Sequence, residues 1–297
     1  MTYLLQRTII DAFIFAFPER IHAIYIQGSY ADDINVSTSD IDLLIVFKDS
    51  FQQNEQQYAE SLARQCIATN AIELDIELVD EQSLIAGISP TFKYGSQLLF
   101  GEDIRDTFPL VSLIEWTRDR MHSSLWRTAH LFGRSGNVSY PLDYPDPHSE
   151  VYGYDARLVG LPDGREVHCT RDLIRLVGWS ATAILAYKAG VYVARKSECH
   201  TLYQVHFQDE WGQLLQDIYE LCRGKWNYLI PEDEDERRIL RNICERTLMF
   251  ENHFLSIYKE FVIEELNGED EQGRLEALQV LRKVNYRDDD VYNCIKA

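Results

Sequence analysis

Gly28-Ser29-Tyr30-Ala31, followed by Ser39-Asp40-Ile41-Asp42-Leu43-Leu44-Ile45-Val46-Phe47, decides how this chain is read. A Gly-Ser turn follows an apolar run, and two aspartates then head a second apolar run. Alternate side chains share one face of a β-strand, so Asp40 and Asp42 point the same way, with Cα atoms roughly 7 Å apart. Ile41, Leu43 and Ile45 take the opposite face, and Leu44 and Val46 continue the aspartate face. Carboxylates crowded on one face repel unless a cation lies between them. Mg²⁺ is a hard cation that takes one or two carboxylates together with substrate phosphates. Taken alone, Asp-x-Asp is equally a pair of solvated aspartates at a strand start.

Working outward, Leu4, Leu5, Ile9, Phe13 and Phe17 recur at helical spacing up to Pro18. His22–Gln27 is a short strand ending at Gly28, where glycine permits a tight turn. Residues 30–39 are small and polar, a loop, and 40–47 form the second strand. Residues 52–69 form an exposed helix. Ala71-Ile72-Glu73-Leu74-Asp75-Ile76-Glu77-Leu78-Val79 alternates apolar with acidic, a third strand with Glu73, Asp75 and Glu77 on one face. Asp80 can cap a short helix. Leu98–Ile104 is a last strand and turn, and a domain boundary is expected at 105–109.

The remainder has helical periodicity. Residues 111–133, 171–189, 211–222 and 240–261 are expected helices, and 171–189 is apolar nearly all round, as suits the centre of a bundle. Residues 134–170 are loop-like, with Tyr140, Tyr144, Tyr152 and Tyr154 near His148, Glu150 and Asp155. They are a packed Ω-type loop or the lining of an acceptor pocket. Residues 266–297 are acidic and irregular, with a helix expected at 275–284. The expected fold class is α+β. A mixed sheet flanked by helices (1–108) precedes a helical bundle (109–265) and an acidic tail (266–297).

Composition narrows the function. The 297 residues are 45% hydrophobic and carry a net charge of −19, from 48 acids against 29 bases. That balance opposes nucleic-acid binding, which needs a basic footprint, and would steer a cationic substrate. The acids gather at Glu232–Glu236, Glu269–Glu271 and Asp288–Asp290, which suits solvated loops. No stretch reaches the ~18 apolar residues of a membrane span. The six cysteines form no Cys-x-x-Cys pair, so a reduced, cytoplasmic protein is expected. Cys199-His200 and His168-Cys169 lack any surrounding nucleophile motif. Trp116, Trp126, Trp179, Trp211 and Trp226 are read as core.

A Gly-Ser turn offers backbone N–H groups and a hydroxyl for phosphate oxygens. With same-face carboxylates and a third acidic strand, these are the parts of a two-metal phosphoryl or nucleotidyl transfer site. Gly28-Ser29 with Asp40-Ile41-Asp42-Leu43-Leu44 resembles the signature of the DNA polymerase β nucleotidyltransferase superfamily, in its small-molecule, aminoglycoside adenylyltransferase-like branch. The third carboxylate fits Asp75, with Glu73 and Glu77 competing on the same face.

The resemblance implies AMP transfer from ATP to a hydroxyl of a small, aminoglycoside-like acceptor. Asp40, Asp42 and Asp75 would hold two Mg²⁺ ions, Gly28 and Ser29 the phosphates, and Asp75 would be the base. Tyr187–Lys196 resembles the helical domain of streptomycin/spectinomycin adenylyltransferases, which implies a triphosphate contact from Lys196, with Lys188 the alternative. Family members often carry Arg-Ala-x-Gly after Gly-Ser, whereas Tyr30-Ala31-Asp32-Asp33 stands here. The added acids should weaken or alter ATP binding. The same superfamily holds antitoxins that adenylylate a partner protein, and a degenerate nucleotide-binding regulator is a third reading. The intact Asp40, Asp42 and Asp75 oppose the last.

Overall fold

The computed structural model describes residues 2–296 apart from 33, 37, 71, 72, 135, 162 and 163. Asp33, Ala71, Ile72 and Pro162 therefore lie outside the described residues. The fold is α+β: a mixed sheet in the N-terminal region and helices thereafter. The chain divides into two compact units, Met1–Ser112 with Ala194–Lys196, and Leu113–Val193 with Ser197–Ala297.

The first unit is built on β1 (Ile21–Gln27), β2 (Ile41–Phe47), β3 (Leu74–Asp80) and β4 (Gln97–Gly101), in the order β3-β2-β1-β4. β2 runs antiparallel to β1 and parallel to β3. The parallel pair needs a crossover, supplied by α3 (Glu55–Ala68). Period-two alternation divides the apolar residues between the sheet faces. Ile24, Ile26, Ile41, Leu43, Ile45 and Leu74 form one core with Ile9 and Phe13 of α1 (Thr2–Ala16). Ala23, Tyr25, Leu44 and Val46 form the other with Phe92 of α5 (Pro90–Gly95). As expected, Asp80 caps the short α4 (Glu81–Leu84), accepting from Ser83 N at 2.9 Å. Residues 28–31, expected as turn and loop, instead form a single helical turn, α2 (Gly28–Ala31). Tyr30 and Ala31 pack on the first core and hold it there.

The second unit is a helical bundle. α6 (Leu113–His130), α7 (Arg171–Ile184, continued to Ala189 by a π turn), α8 (Cys199–His206), α9 (Glu210–Asp217) and α10 (Glu234–Asn267) enclose one apolar core. Residues 266–297 contain the helix expected at 275–284 and, contrary to expectation, are helical beyond it as well. They form α11 (Glu271–Val284) and α12 (Asp289–Lys296), which bury Ala277, Leu281, Val284 and Val291 in that core. The acidic runs are helix starts. Asp233 caps α10 by accepting from Asp235 N and Glu236 N, both at 3.0 Å. Asp270 accepts from Gln272 N at 3.1 Å to cap α11, and Asp288 accepts from Asp290 N at 3.0 Å. Acids are favoured there because the helix N-terminus carries free N–H groups and partial positive charge.

Among the described residues of 134–170, Arg134, Leu142, Tyr152 and Tyr154 reach α10. Tyr154 is fully buried and donates to Glu251, while Tyr152 donates to Glu245 at 2.8 Å and stacks on Tyr144. β5 (Arg157–Gly160) and β6 (Glu166–Cys169) pair within the stretch. Trp116 and Trp226 are buried, Trp179 and Trp211 half-buried, and Trp126 is exposed.

Candidate active site

The site begins where β1 stops. Gly28 takes a φ of +66°, a left-handed conformation that glycine enters without strain. A Cβ there would overlap Oδ2 of Asp42, so the Asp42 carboxylate lies directly against the Gly28 backbone. Antiparallel pairing of Gln27 with Asp42 sets this approach. From Gly28 the chain enters the α2 turn, whose first N–H groups have no partner within the helix. Ser29 O accepts from Ile34 N at 3.1 Å, and the Ser39 hydroxyl accepts from Val36 N at 2.9 Å. Ser39 is buried, so this turn fixes the chain just before Asp40.

The parallel register sets Asp75 beside Asp42 and Glu77 beside Leu44. Side chains of paired residues in a parallel ladder share a face, so Asp42, Asp75 and Glu77 lie on the face of Leu44 and Val46. The surrounding protein, and then the charge of Asp75, raise the Glu77 carboxyl above its ordinary value. Glu73 O accepts from Ile41 N at 3.0 Å, one step before the strand pairing begins. Among the described residues, no group of three or more His, Cys, Asp or Glu side chains lies close enough to hold a metal by itself. The donor chemistry still suits Mg²⁺, which needs only one or two protein carboxylates when substrate phosphates complete its shell.

Ala194–Lys196 belongs to this unit. Gly95 lets it approach, because a Cβ there would stand 2.5 Å from Ala194 O. Arg195 donates through Nε to Asp32 at 2.8 Å and through a terminal nitrogen to Tyr94 O at 2.6 Å. An arginine 163 residues away along the chain therefore faces Asp32, an acid of the loop that follows Gly28-Ser29. Its one sequence signal is its place beside Lys196. Lys196 is exposed and has no ion pair among the described residues. Lys188, the alternative, is bound to Glu260 in the helical unit.

The Cys-His neighbours offer no nucleophile. Cys169 and Cys199 are buried, and burial pushes the Cys199 thiol up to about 11. A reactive cysteine needs the opposite shift.

Residues 11–104 match the family model described as Polymerase beta, Nucleotidyltransferase. They form a nucleotidyltransferase domain. Among solved structures the chain is similar to spectinomycin adenyltransferase AAD(9) from Enterococcus faecialis, crystallised with ATP and spectinomycin. Identity is 12%, coverage 83% of this chain and 99% of that one, and the TM-score 0.45. No curated protein matches the chain. No helix among the described residues is long and apolar enough to cross a membrane. The matched nucleotidyltransferase domain contains Gly28, Ser29, Asp40, Asp42 and Asp75, whereas Lys196 lies outside it.

Proposed function

We propose that the chain transfers AMP from ATP, with Mg²⁺, to a hydroxyl of a small-molecule acceptor. The observation that carries this reading is the register of Asp75 beside Asp42, with Asp42 pressed against Gly28. Asp40, Asp42 and Asp75 are the carboxylates that would hold the metal pair. Bound Mg²⁺ would neutralise the triphosphate and stabilise charge at the α-phosphorus. The turn at Gly28 and Ser29 holds the β- and γ-phosphates, and Lys196 supplies a point charge for them.

Asp75 takes the acceptor's proton as its oxygen bonds to the α-phosphorus. The bond from the α-phosphorus to the bridging oxygen breaks, and pyrophosphate leaves. Asp75 is favoured over Glu77 because it stands beside Asp42, whereas Glu77 stands beside Leu44. The acidic runs cap helices, so net charge argues less strongly for an aminoglycoside-like polycation than composition alone implies. All six thiols are unpaired, which fits a cytoplasmic setting.

The test is pyrophosphate release from ATP, GTP, CTP and UTP with Mg²⁺, against a panel of aminoglycosides, other polyols and hydroxy acids. ATP should support release with at least one acceptor, and Asp40→Asn should abolish it. Failure of all four nucleotides to bind with Mg²⁺ present would overturn the proposal.

A further inference from the structure

In a chain of net charge −19, the helical unit gathers guanidinium groups around one indole. Trp116, Arg120 and Arg127 lie on one stripe of α6, at i, i+4 and i+11. Arg175 and Trp179 lie one turn apart on α7. The Arg120 guanidinium carbon is 4.4 Å from the centre of the Trp116 ring and 4.1 Å from that of Trp179. The Arg127 guanidinium carbon is 3.9 Å from the Trp179 ring centre. Stacking on an indole satisfies the flat face of a guanidinium and leaves its N–H edge available.

Counter-charges are supplied unequally. Arg120 pairs with Asp119, and Arg175 lies 3.7 Å from Asp172. Arg127 has neither an ion pair nor a hydrogen bond among the described residues, and its Nε is buried without a partner. Burial, then the charges of Arg175 and Arg120, lower the Arg127 guanidinium from its ordinary value. The Trp116 indole N–H, touching Arg120 and 3% exposed, is a second buried donor without a partner. Both unpartnered groups can only donate, so what they lack is an acceptor. Buried donors are normally satisfied, and leaving one unmade is costly.

We propose that this cluster is an anion-binding site, in which Arg127, with Arg120 on the Trp179 platform, holds a carboxylate or phosphate group of a small ligand. A purely structural stack would place a carboxylate against Arg127, as the bundle does for Arg134 and Arg118. The site stands on the helical unit alone and does not depend on the proposed transfer reaction. A planar carboxylate or a phosphate can take the guanidinium fork in bidentate fashion, which a lysine cannot reproduce.

The experiment is isothermal titration of the full chain with malonate and, separately, with inorganic phosphate at low salt. Indole fluorescence is followed in parallel. At least one anion should bind and change the indole emission. Arg127→Ala should weaken binding at least tenfold, and Arg127→Lys should recover only part of it. Lys196→Ala should leave the affinity unchanged. The proposal is overturned if neither anion binds. It is equally overturned if Lys196→Ala removes binding and Arg127→Ala does not, which would assign the anion to the nucleotide site. Should Arg127→Ala fail to fold, as judged by circular dichroism, Arg127→Lys and Trp179→Phe carry the same test. Unchanged affinity and emission in both would overturn the site.

Discussion

The two units handle charge in opposite ways. On the sheet, Asp42 and Asp75 stand beside each other in register with Glu77 on the same face, so like charges are brought together. Such an arrangement is unfavourable unless a cation joins it. Within the helical unit, Glu251 is 1% exposed yet receives Arg134 and Tyr154, and Arg118 donates to Glu265 at 2.7 Å. Buried charge there is answered locally, and breaking one side of such a pair leaves the other stranded. Carboxylates gathered on one sheet face mark chemistry, and charge paired within the bundle marks architecture. Among the described residues Arg127 departs from this pattern, and the proposed anion site rests on that departure.

The largest expected effect is at Asp75. Asp75→Asn should slow pyrophosphate release by about 10²–10⁴-fold, the usual contribution of a general base, while leaving the melting temperature unchanged or higher. Glu77→Gln is the control. If it removes activity and Asp75→Asn does not, the base is Glu77, and register alone does not select the reacting carboxylate. In the bundle the same kind of change should cost stability. Glu251→Ala is expected to lose roughly 3–5 kcal/mol in equilibrium unfolding, because Arg134 would stay buried without its partner. A loss near zero would mean that pairing does not sustain that core.

His122 extends the contrast to pH. It is 8% exposed and shares a hydrogen bond of 3.0 Å with Tyr258. Burial, and then the Arg118 charge, lower its imidazole from 6.5 to about 4. The unfolded chain therefore binds a proton between pH 6.5 and 4 that the folded chain refuses. Stability from this group is complete above pH 6.5 and is lost as pH falls toward 4, up to about 3 kcal/mol. His122→Phe should flatten that part of the stability profile. An unchanged profile would assign the acid sensitivity to other groups.

Much of the sheet was legible because its signal is local. The apolar run in 41–47 and the alternation of apolar and acidic residues in 74–78 mark both strands, and the two-residue strand period gives the face of each acid. The α2 turn was not legible. Gly28-Ser29-Tyr30-Ala31 has loop composition, and its helical turn depends on Tyr30 and Ala31 packing against a distant core. The Arg195–Asp32 pair joins residues 163 apart, a contact no local pattern encodes. Trp179 illustrates a third limit. The sequence shows a tryptophan on an apolar helix, and only packing reveals the guanidiniums on its face.

The acidic runs give the smallest effect and the closest test of the contrast. Read as composition, Glu232–Glu236 is a solvated patch that adds to a steering field. Read as structure, Asp233 occupies the N-cap of the 34-residue α10, and Glu234, Asp235 and Glu236 fill its first turn. Glu236 also accepts from Trp226 Nε1 at 2.9 Å and pairs with Lys225 at 2.7 Å. The two accounts differ in what Asp233→Ala does. A cap removed should cost about 1 kcal/mol, and Asp233→Ser, which can still accept, should restore most of it. A patch member removed should cost nothing in folding, and serine should behave like alanine. Urea unfolding of the three proteins separates the accounts, since one lost charge is common to both variants and only the hydrogen bond distinguishes them.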